Sequence, residues 1–165
     1  MNKRPIIKLK LTAFDYILEV AGWGILIFLI SFSIYCYNIF PETIPIHYNA
    51  WGQVDRLGSK SMILLLPLIA LLIFIVMTAI SQYPQSMNYP VEITAENAET
   101  KYRLATRMLS YMRIAIVCTF LIIVYQTYKI VLGYSNDLES WSLPVILFLM
   151  LGPTLIFVVI SSRKN

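Results

Sequence analysis

Three long stretches of this chain contain no Asp, Glu, Lys or Arg: residues 20–41, 61–91 and 140–162. Each is longer than the roughly 20 apolar residues that an α-helix needs to cross a bilayer. A fourth stretch, 114–128, reaches that length if the Lys129 side chain extends to the interface and the apolar run beyond it continues the helix. Since 58% of the residues are hydrophobic and only 13% are charged, the composition excludes a disordered chain and argues against a soluble enzyme.

These stretches predict an all-α integral membrane protein with four transmembrane helices in a single domain, residues 1–165. The predicted spans are about 16–37, 62–82, 109–132 and 142–161. The two main connections are an irregular outer loop, 38–61, and a cytoplasmic loop and helix, 83–108.

The basic residues predict the orientation of these helices. Most lie before the first span, between the second and third spans, or after the fourth: Lys3, Arg4, Lys8, Lys10, Lys101, Arg103, Arg107, Arg113, Arg163 and Lys164. The other three of the 13 basic residues are Arg56, Lys60 and Lys129. By the positive-inside rule, both termini are expected in the cytoplasm. Because this topology accounts for the net charge of +4, the charge does not indicate a nucleic-acid partner.

The outer loop contains the only histidine of the chain, His47. Pro41 and Pro45 disfavour a helix and favour extended chain, so successive side chains over residues 44–49 are expected to alternate between two faces. One face then carries Pro45, His47 and Asn49, and the other carries Ile44, Ile46 and Tyr48.

Two glycines later in the loop, Gly52 and Gly58, predict turns. Such turns fold Asp55 and Lys60 back towards His47. We therefore expect a compact polar cluster at the outer ends of the helices.

The chemistry of this cluster leaves several interpretations open. His47 and Asp55, with Glu42 or Asn49, are candidate metal ligands, although one histidine without a nearby cysteine is a poor set for zinc. Alternatively, these side chains hydrogen-bond one another and the loop backbone, which also makes a rigid surface for recognition. A hydrolase needs a nucleophile beside the histidine, but the nearby serines lie where they cap the next helix.

A motif in this region resembles that of a known family. Its residues are Ile44, Pro45, His47, Asn49, Gly52, Asp55, Lys60 and Pro67. The pattern resembles the signature of a bacterial membrane module, domain of unknown function 1648, which also forms the N-terminal part of SdpI-type immunity proteins. A second run, from Asn88 to Arg103, is similar to stand-alone members with the same four spans. The resemblance implies an immunity or sensor-type protein of the bacterial cytoplasmic (inner) membrane.

The favoured interpretation is a non-enzymatic protein, without a cofactor, that recognises an extracellular peptide or small ligand through the outer loop. The residues expected to bind the ligand or to shape the loop are His47, Asn49, Gly52, Asp55 and Lys60. Structural roles are expected for Pro41, Pro45 and Pro67. The alternatives are a metal-dependent membrane enzyme that uses His47 and Asp55, and an accessory subunit of a membrane complex.

On the cytoplasmic side, Thr94 is placed to cap a helix that begins at Ala95 and runs to the third span. Glu99, Arg103 and Arg107 recur every four residues and share one helix face. This face is expected to be ion-paired and to contact anionic lipid headgroups, or to dock a cytoplasmic regulator. Because ionisable residues fall only near the ends of the spans, the sequence argues against a proton relay.

Overall fold

Four long helices and one β-hairpin make up the fold in a computed structural model that describes residues 4–161. The helices are α1 (Ala13–Ile39), α2 (Leu65–Ser81), α3 (Ala98–Val131) and α4 (Ser142–Ser161). The strands are β1 (Thr43–Tyr48) and β2 (Val54–Ser59), and short 3-10 turns cover Lys60–Leu64 and Pro84–Ser86.

All four helices are long and apolar enough to cross a membrane, with the turn before α2 continuing that helix. The predicted all-α membrane fold is therefore confirmed. Three basic residues used to predict the orientation, Lys3, Arg163 and Lys164, lie outside the described residues.

The apolar core lies between α1, α2 and α3. Its fully buried side chains include Leu26 and Leu29 of α1, Phe74 of α2, and Val117 and Val124 of α3. In contrast, α4 packs mainly on α3 and leaves most of its apolar side chains exposed. In a membrane, such a surface faces the lipid chains rather than water.

The start of α1 is fixed by a capping box. Oγ1 of Thr12 accepts a hydrogen bond from the Asp15 N–H, and the Asp15 carboxylate accepts one from the Thr12 N–H. This reciprocal pair satisfies two of the N–H groups that have no partner within a helix. As a result, α1 begins at Ala13, before the predicted start of the first span.

The predicted cytoplasmic helix and the third span form one continuous helix, α3. It begins at Ala98 with Asn97 as the N-cap residue, so the prediction of a helix capped by Thr94 and beginning at Ala95 is wrong. Oδ1 of Asn97 accepts a hydrogen bond from the Thr94 N–H, and its Nδ2 donates to the carbonyl of Glu92. These bonds favour a turn over a helix in the residues before Ala98.

The connection between α1 and α2 is an antiparallel β-hairpin, so the prediction of an irregular loop is wrong. Ile44 lies opposite Gly58 and Pro45 lies opposite Leu57, and the register shifts before and after His47. A proline is tolerated here because a bulge removes the need for a regular ladder of hydrogen bonds. The sequence predicted extended chain but not its pairing with a second strand.

The two glycines of the hairpin have different roles. Gly52 has φ +82° in the turn between the strands, as the sequence predicted. Gly58 lies within β2 and not in a turn, where a Cβ would lie 2.5 Å from Cδ1 of Ile46. Gly58 thus allows the Ile46 side chain to pack across the hairpin.

The prolines lie where the backbone tolerates them. Pro41 is exposed between α1 and β1, and Pro45 lies in β1. Pro67 is buried in the first turn of α2, where its missing N–H removes no helical hydrogen bond.

Candidate functional site

The β-hairpin is held against the rest of the molecule by three hydrogen bonds. The hydroxyl groups of Tyr48 and Thr127 lie 2.7 Å apart, which joins β1 to α3. The Leu138 N–H donates to the carbonyl of Gly52 at 2.9 Å, and the Val54 N–H donates to the Asp137 carboxylate at 3.3 Å. The hairpin is therefore attached to α3 and to the loop that follows it.

The turn of the hairpin is organised by Asn49. Its Oδ1 accepts hydrogen bonds from the N–H groups of Trp51 and Gln53, at 2.9 and 3.0 Å. Its carbonyl accepts from the Gly52 N–H. Since the Asn49 side chain satisfies backbone groups, its role is to shape the turn.

His47 and Asp55 form a hydrogen-bonded pair on the hairpin. Nδ1 of His47 donates to Oδ1 of Asp55 over 2.6 Å, and the two side chains are 56% and 40% exposed. The sequence predicted that these residues lie together. Because both side chains are largely exposed to water, this contact adds only about 0–1 kcal/mol to stability.

Lys60 does not join this pair, so the prediction that it folds back towards His47 is wrong. Its Nζ lies 3.1 Å from the Glu42 carboxylate and 5.2 Å from the centre of the Tyr37 ring. It also donates to the carbonyl of Phe40 at 3.5 Å. Lys60 therefore links the base of the hairpin to the end of α1.

Only two of the candidate metal ligands lie close together in the structure. Within residues 4–161, no group of three or more His, Cys, Asp and Glu side chains is placed to hold a metal ion. A metal bound by His47 and Asp55 would therefore take its remaining ligands from water or from another molecule.

Large apolar side chains are also exposed on the hairpin. Trp51, in the turn, is 82% exposed, and Leu57 of β2 is exposed as well. Exposed aromatic residues beside polar groups are typical of surfaces that bind other molecules.

The opposite end of the helix bundle carries a network of ion pairs. We call it the basic end; it is formed by the start of α1, the end of α2 and the start of α3. Arg103 pairs with Glu99 at 2.9 Å and with Asp15 at 3.2 Å, and Arg107 pairs with Asp15 at 2.7 Å. The sequence predicted that the α3 residues share one face, but it did not identify Asp15 as the common partner of the two arginines.

A buried arginine lies deeper in the basic end. Arg113 of α3 is 2% exposed and donates to Glu19 of α1, to Thr78 of α2 and to Ser110 of its own helix. Its Nε has no hydrogen-bond partner among the described residues. Arg113 therefore joins the three core helices through their polar side chains.

Sequence reasoning missed this site because Glu19 served only as the limit of an uncharged stretch, and Arg113 only as such a limit and as one of the basic residues that predict the orientation. A signal was present: two opposite charges lie at the same end of neighbouring spans. Charged residues at such positions usually pair with each other inside a membrane protein.

A cavity of about 540 Å³ opens beside this network at the basic end. Its wall includes Asp15 and Glu19 of α1, Thr78 of α2, and Arg107 and Ser110 of α3. The N-terminal segment completes the wall with Ile7, Lys8, Leu9 and Leu11. The cavity is therefore polar on the helix side and partly apolar where the N-terminal segment passes.

Comparison with known proteins places the hairpin inside a recognised domain. Residues 24–71 match the family model described as Domain of unknown function (DUF1648). We call residues 24–71 the DUF1648 segment because of this match. The DUF1648 segment runs from within α1, through the hairpin, into α2, so the hairpin lies at its centre.

One curated relative is an uncharacterised protein of Archaeoglobus fulgidus, 39% identical over 62 residues. The match covers 33% of this chain and 34% of the relative, so the chain spans about a third of the length of that protein. No solved structure matches the chain. Together with the four apolar helices, these comparisons describe a multi-pass membrane protein that carries a DUF1648 segment and whose function is unknown.

Proposed function

We propose that this chain is a non-enzymatic binding protein of the immunity or sensor type, which recognises an extracellular peptide or small ligand through its hairpin. One observation carries the proposal: the hairpin is held to α3 and to the loop after it, while the side chains of His47, Trp51 and Asp55 remain exposed. A surface fixed in this way loses little conformational entropy when it binds a partner.

The exposed side chains suit a peptide partner. Trp51 offers a large apolar surface, and the pair of His47 and Asp55 offers hydrogen-bonding groups within one small area. Aromatic anchors surrounded by polar groups contribute most of the binding energy at many protein interfaces. The position of the hairpin within the DUF1648 segment also supports the proposal. The motif in this segment resembles that of a module whose likeness to SdpI-type proteins implies an immunity or sensor role.

The proposal includes a topology, in a bacterial cytoplasmic membrane, with the basic end inside and the hairpin outside. This topology rests on the excess of Lys and Arg at the basic end.

The test of this topology starts from a variant without Cys36 and Cys118 and adds either Trp51→Cys or Gln82→Cys. A membrane-impermeant maleimide should label Trp51→Cys in intact cells and Gln82→Cys only after permeabilisation. The reverse pattern would place the hairpin in the cytoplasm.

The binding role is tested by protection of cells. Cells that produce the chain are exposed to secreted antimicrobial peptides, and survival is compared with that of cells producing His47→Ala/Asp55→Ala or Trp51→Ala. We expect protection by the unaltered chain and its loss in both variants. The matched control is Asn136→Ala, an exposed residue of the neighbouring loop, which should keep full protection.

Folding is controlled by the thermal midpoint of each purified variant in detergent. All three should remain close to the unaltered protein, because the substituted side chains are exposed. If the hairpin variants reach the membrane at normal levels and still protect fully, the hairpin is not the recognition surface.

A further inference from the structure

We propose that the basic end binds an anionic phospholipid, with the phosphate in the cavity beside the ion-pair network and one acyl chain in an apolar groove between α3 and α4. The inference concerns the end of the bundle opposite the hairpin and does not depend on the proposed function of the hairpin. It rests on the charge of the cavity, on its rigid construction and on a second cavity that shares Arg107 with it.

The charge of the cavity beside the ion-pair network favours an anion. Three basic side chains line it, Lys8, Arg103 and Arg107, against the two carboxylates of Asp15 and Glu19. Both carboxylates already accept hydrogen bonds from arginines. Lys8 is exposed in the cavity wall, and no carboxylate within residues 4–161 pairs with it. A phosphate group can therefore bind Lys8 and Arg107 without facing an unpaired carboxylate.

The cavity is built on a fixed framework. The hydrogen-bond partners of Arg113, namely Glu19, Thr78 and Ser110, all line it and come from three different helices. Arg113 thus lies directly behind the wall, where its charge balances that of Glu19. Because Glu19 is paired in this way, its carboxylate repels an incoming anion less than an unpaired one would.

An apolar groove on the other side of Arg107 points to a lipid as the source of the phosphate. This groove, of about 420 Å³, is lined by Phe14, Met108 and Tyr111 and by Phe157 of α4. The Arg107 guanidinium lies 5.2 Å above the Phe14 ring and lines both the groove and the cavity beside the ion-pair network. A ligand at this position meets basic groups on one side and apolar surface on the other, as a phospholipid requires.

The experiment measures the thermal midpoint of the detergent-purified protein during titration with three probes. Dioleoyl phosphatidylglycerol is the anionic lipid, dioleoyl phosphatidylcholine has the same chains and no net charge, and inorganic phosphate has no chains. We expect a larger stabilisation by the anionic lipid than by the neutral one, and little effect of inorganic phosphate. The apparent affinity for the anionic lipid should fall about tenfold in Lys8→Gln and in Arg107→Gln, since each removes a charged donor.

The controls keep this test decisive. Arg56→Gln removes an exposed charge at the hairpin end and should leave lipid binding unchanged. Arg107 also pairs with Asp15, but Lys8 does not, so Lys8→Gln tests the site without loosening the ion-pair network. Equal stabilisation by the two lipids, or a preference that survives both substitutions, overturns the proposal. Stabilisation by inorganic phosphate that is lost in Lys8→Gln overturns the lipid assignment and indicates a soluble phosphate compound instead.

Discussion

The hydroxyl groups of Tyr48 and Thr127 lie 2.7 Å apart and join β1 to α3 across 79 residues of sequence. Thr127 donates its own hydroxyl hydrogen to the carbonyl of Ile123 within α3, so Tyr48 is the donor of the pair. Burial raises the pKa of the Tyr48 phenol, which keeps this donor protonated well above neutral pH. The contact therefore positions the hairpin relative to the helices.

Tyr48→Phe should loosen the hairpin without unfolding the helices. It removes one hydrogen bond, worth about 1 kcal/mol, and leaves no unpaired donor, because Thr127 keeps its bond to Ile123. Hydrogen exchange should become faster in both strands of the hairpin and stay unchanged in the core of α1 to α3. Tyr134→Phe is the control, since that side chain is exposed, and it should leave the exchange of the hairpin as it was.

The pair of Arg113 and Glu19 should be important for the stability of the helix bundle. Replacing either residue alone, by Arg113→Met or Glu19→Gln, removes one side of a pair in which Arg113 is fully buried, at a cost of about 3 kcal/mol. The double variant should lose clearly less than the sum of the two, because no unpaired charge remains. The measurement is the unfolding free energy in detergent.

The exposed pair of Lys60 and Glu42 provides the comparison. The Glu42 side chain is 86% exposed, so Glu42→Gln should cost at most about 1 kcal/mol. An equal loss in Glu42→Gln and Glu19→Gln would show that burial does not set the cost at the basic end.

Gly58→Ala should destabilise the hairpin through a specific clash. The added Cβ lies 2.5 Å from Cδ1 of Ile46, so that side chain must leave its place at a cost of about 1 kcal/mol. Ile46→Val removes the clashing methyl group and should restore most of the loss when the two substitutions are combined. Gly24→Ala, where no atom lies within 4 Å of the added Cβ, should not lower the thermal midpoint.

Glu139 should make stability depend on pH in the acidic range. The hydrogen bonds donated by Lys129 and Trp141 hold the pKa of the Glu139 carboxyl below its ordinary value of 4.5. A carboxyl whose pKa is lowered in the folded state stabilises the protein at pH values above 4.5. This stabilisation is lost as the pH falls through the pKa of the folded state. The thermal midpoint should therefore fall further on acidification in the unaltered protein than in Glu139→Gln. A parallel decline in both proteins would contradict this role.

The membrane architecture was predictable because it depends on local composition. A helix needs only its own residues to satisfy its backbone in lipid, so three long uncharged stretches and a shorter one extended past Lys129 were sufficient to locate all four. The start of α3 was predicted three residues too early, because the side chain of Asn97 competes with the helix for backbone partners in a way that helix propensity does not show.

The candidate sites depend on contacts between residues that are distant in sequence. His47 and Asp55 were predicted to meet because only a short turn separates them. Lys60 was predicted to join them, but its partner is Glu42, since the hairpin pairing carries Lys60 back to the base of β1. Nothing in the local sequence of α3 shows that Arg113 is buried.

The sequence by itself determined that the chain crosses a membrane, how many helices do so, and that the segment around His47 is extended. These properties follow from hydrophobicity and backbone restrictions that act over a few residues. Only the tertiary structure decided that this segment pairs into a hairpin attached to α3, and that Arg113 connects three helices beside a cavity. Such features arise because buried polar groups must find partners, and in this protein those partners come from helices far apart in sequence.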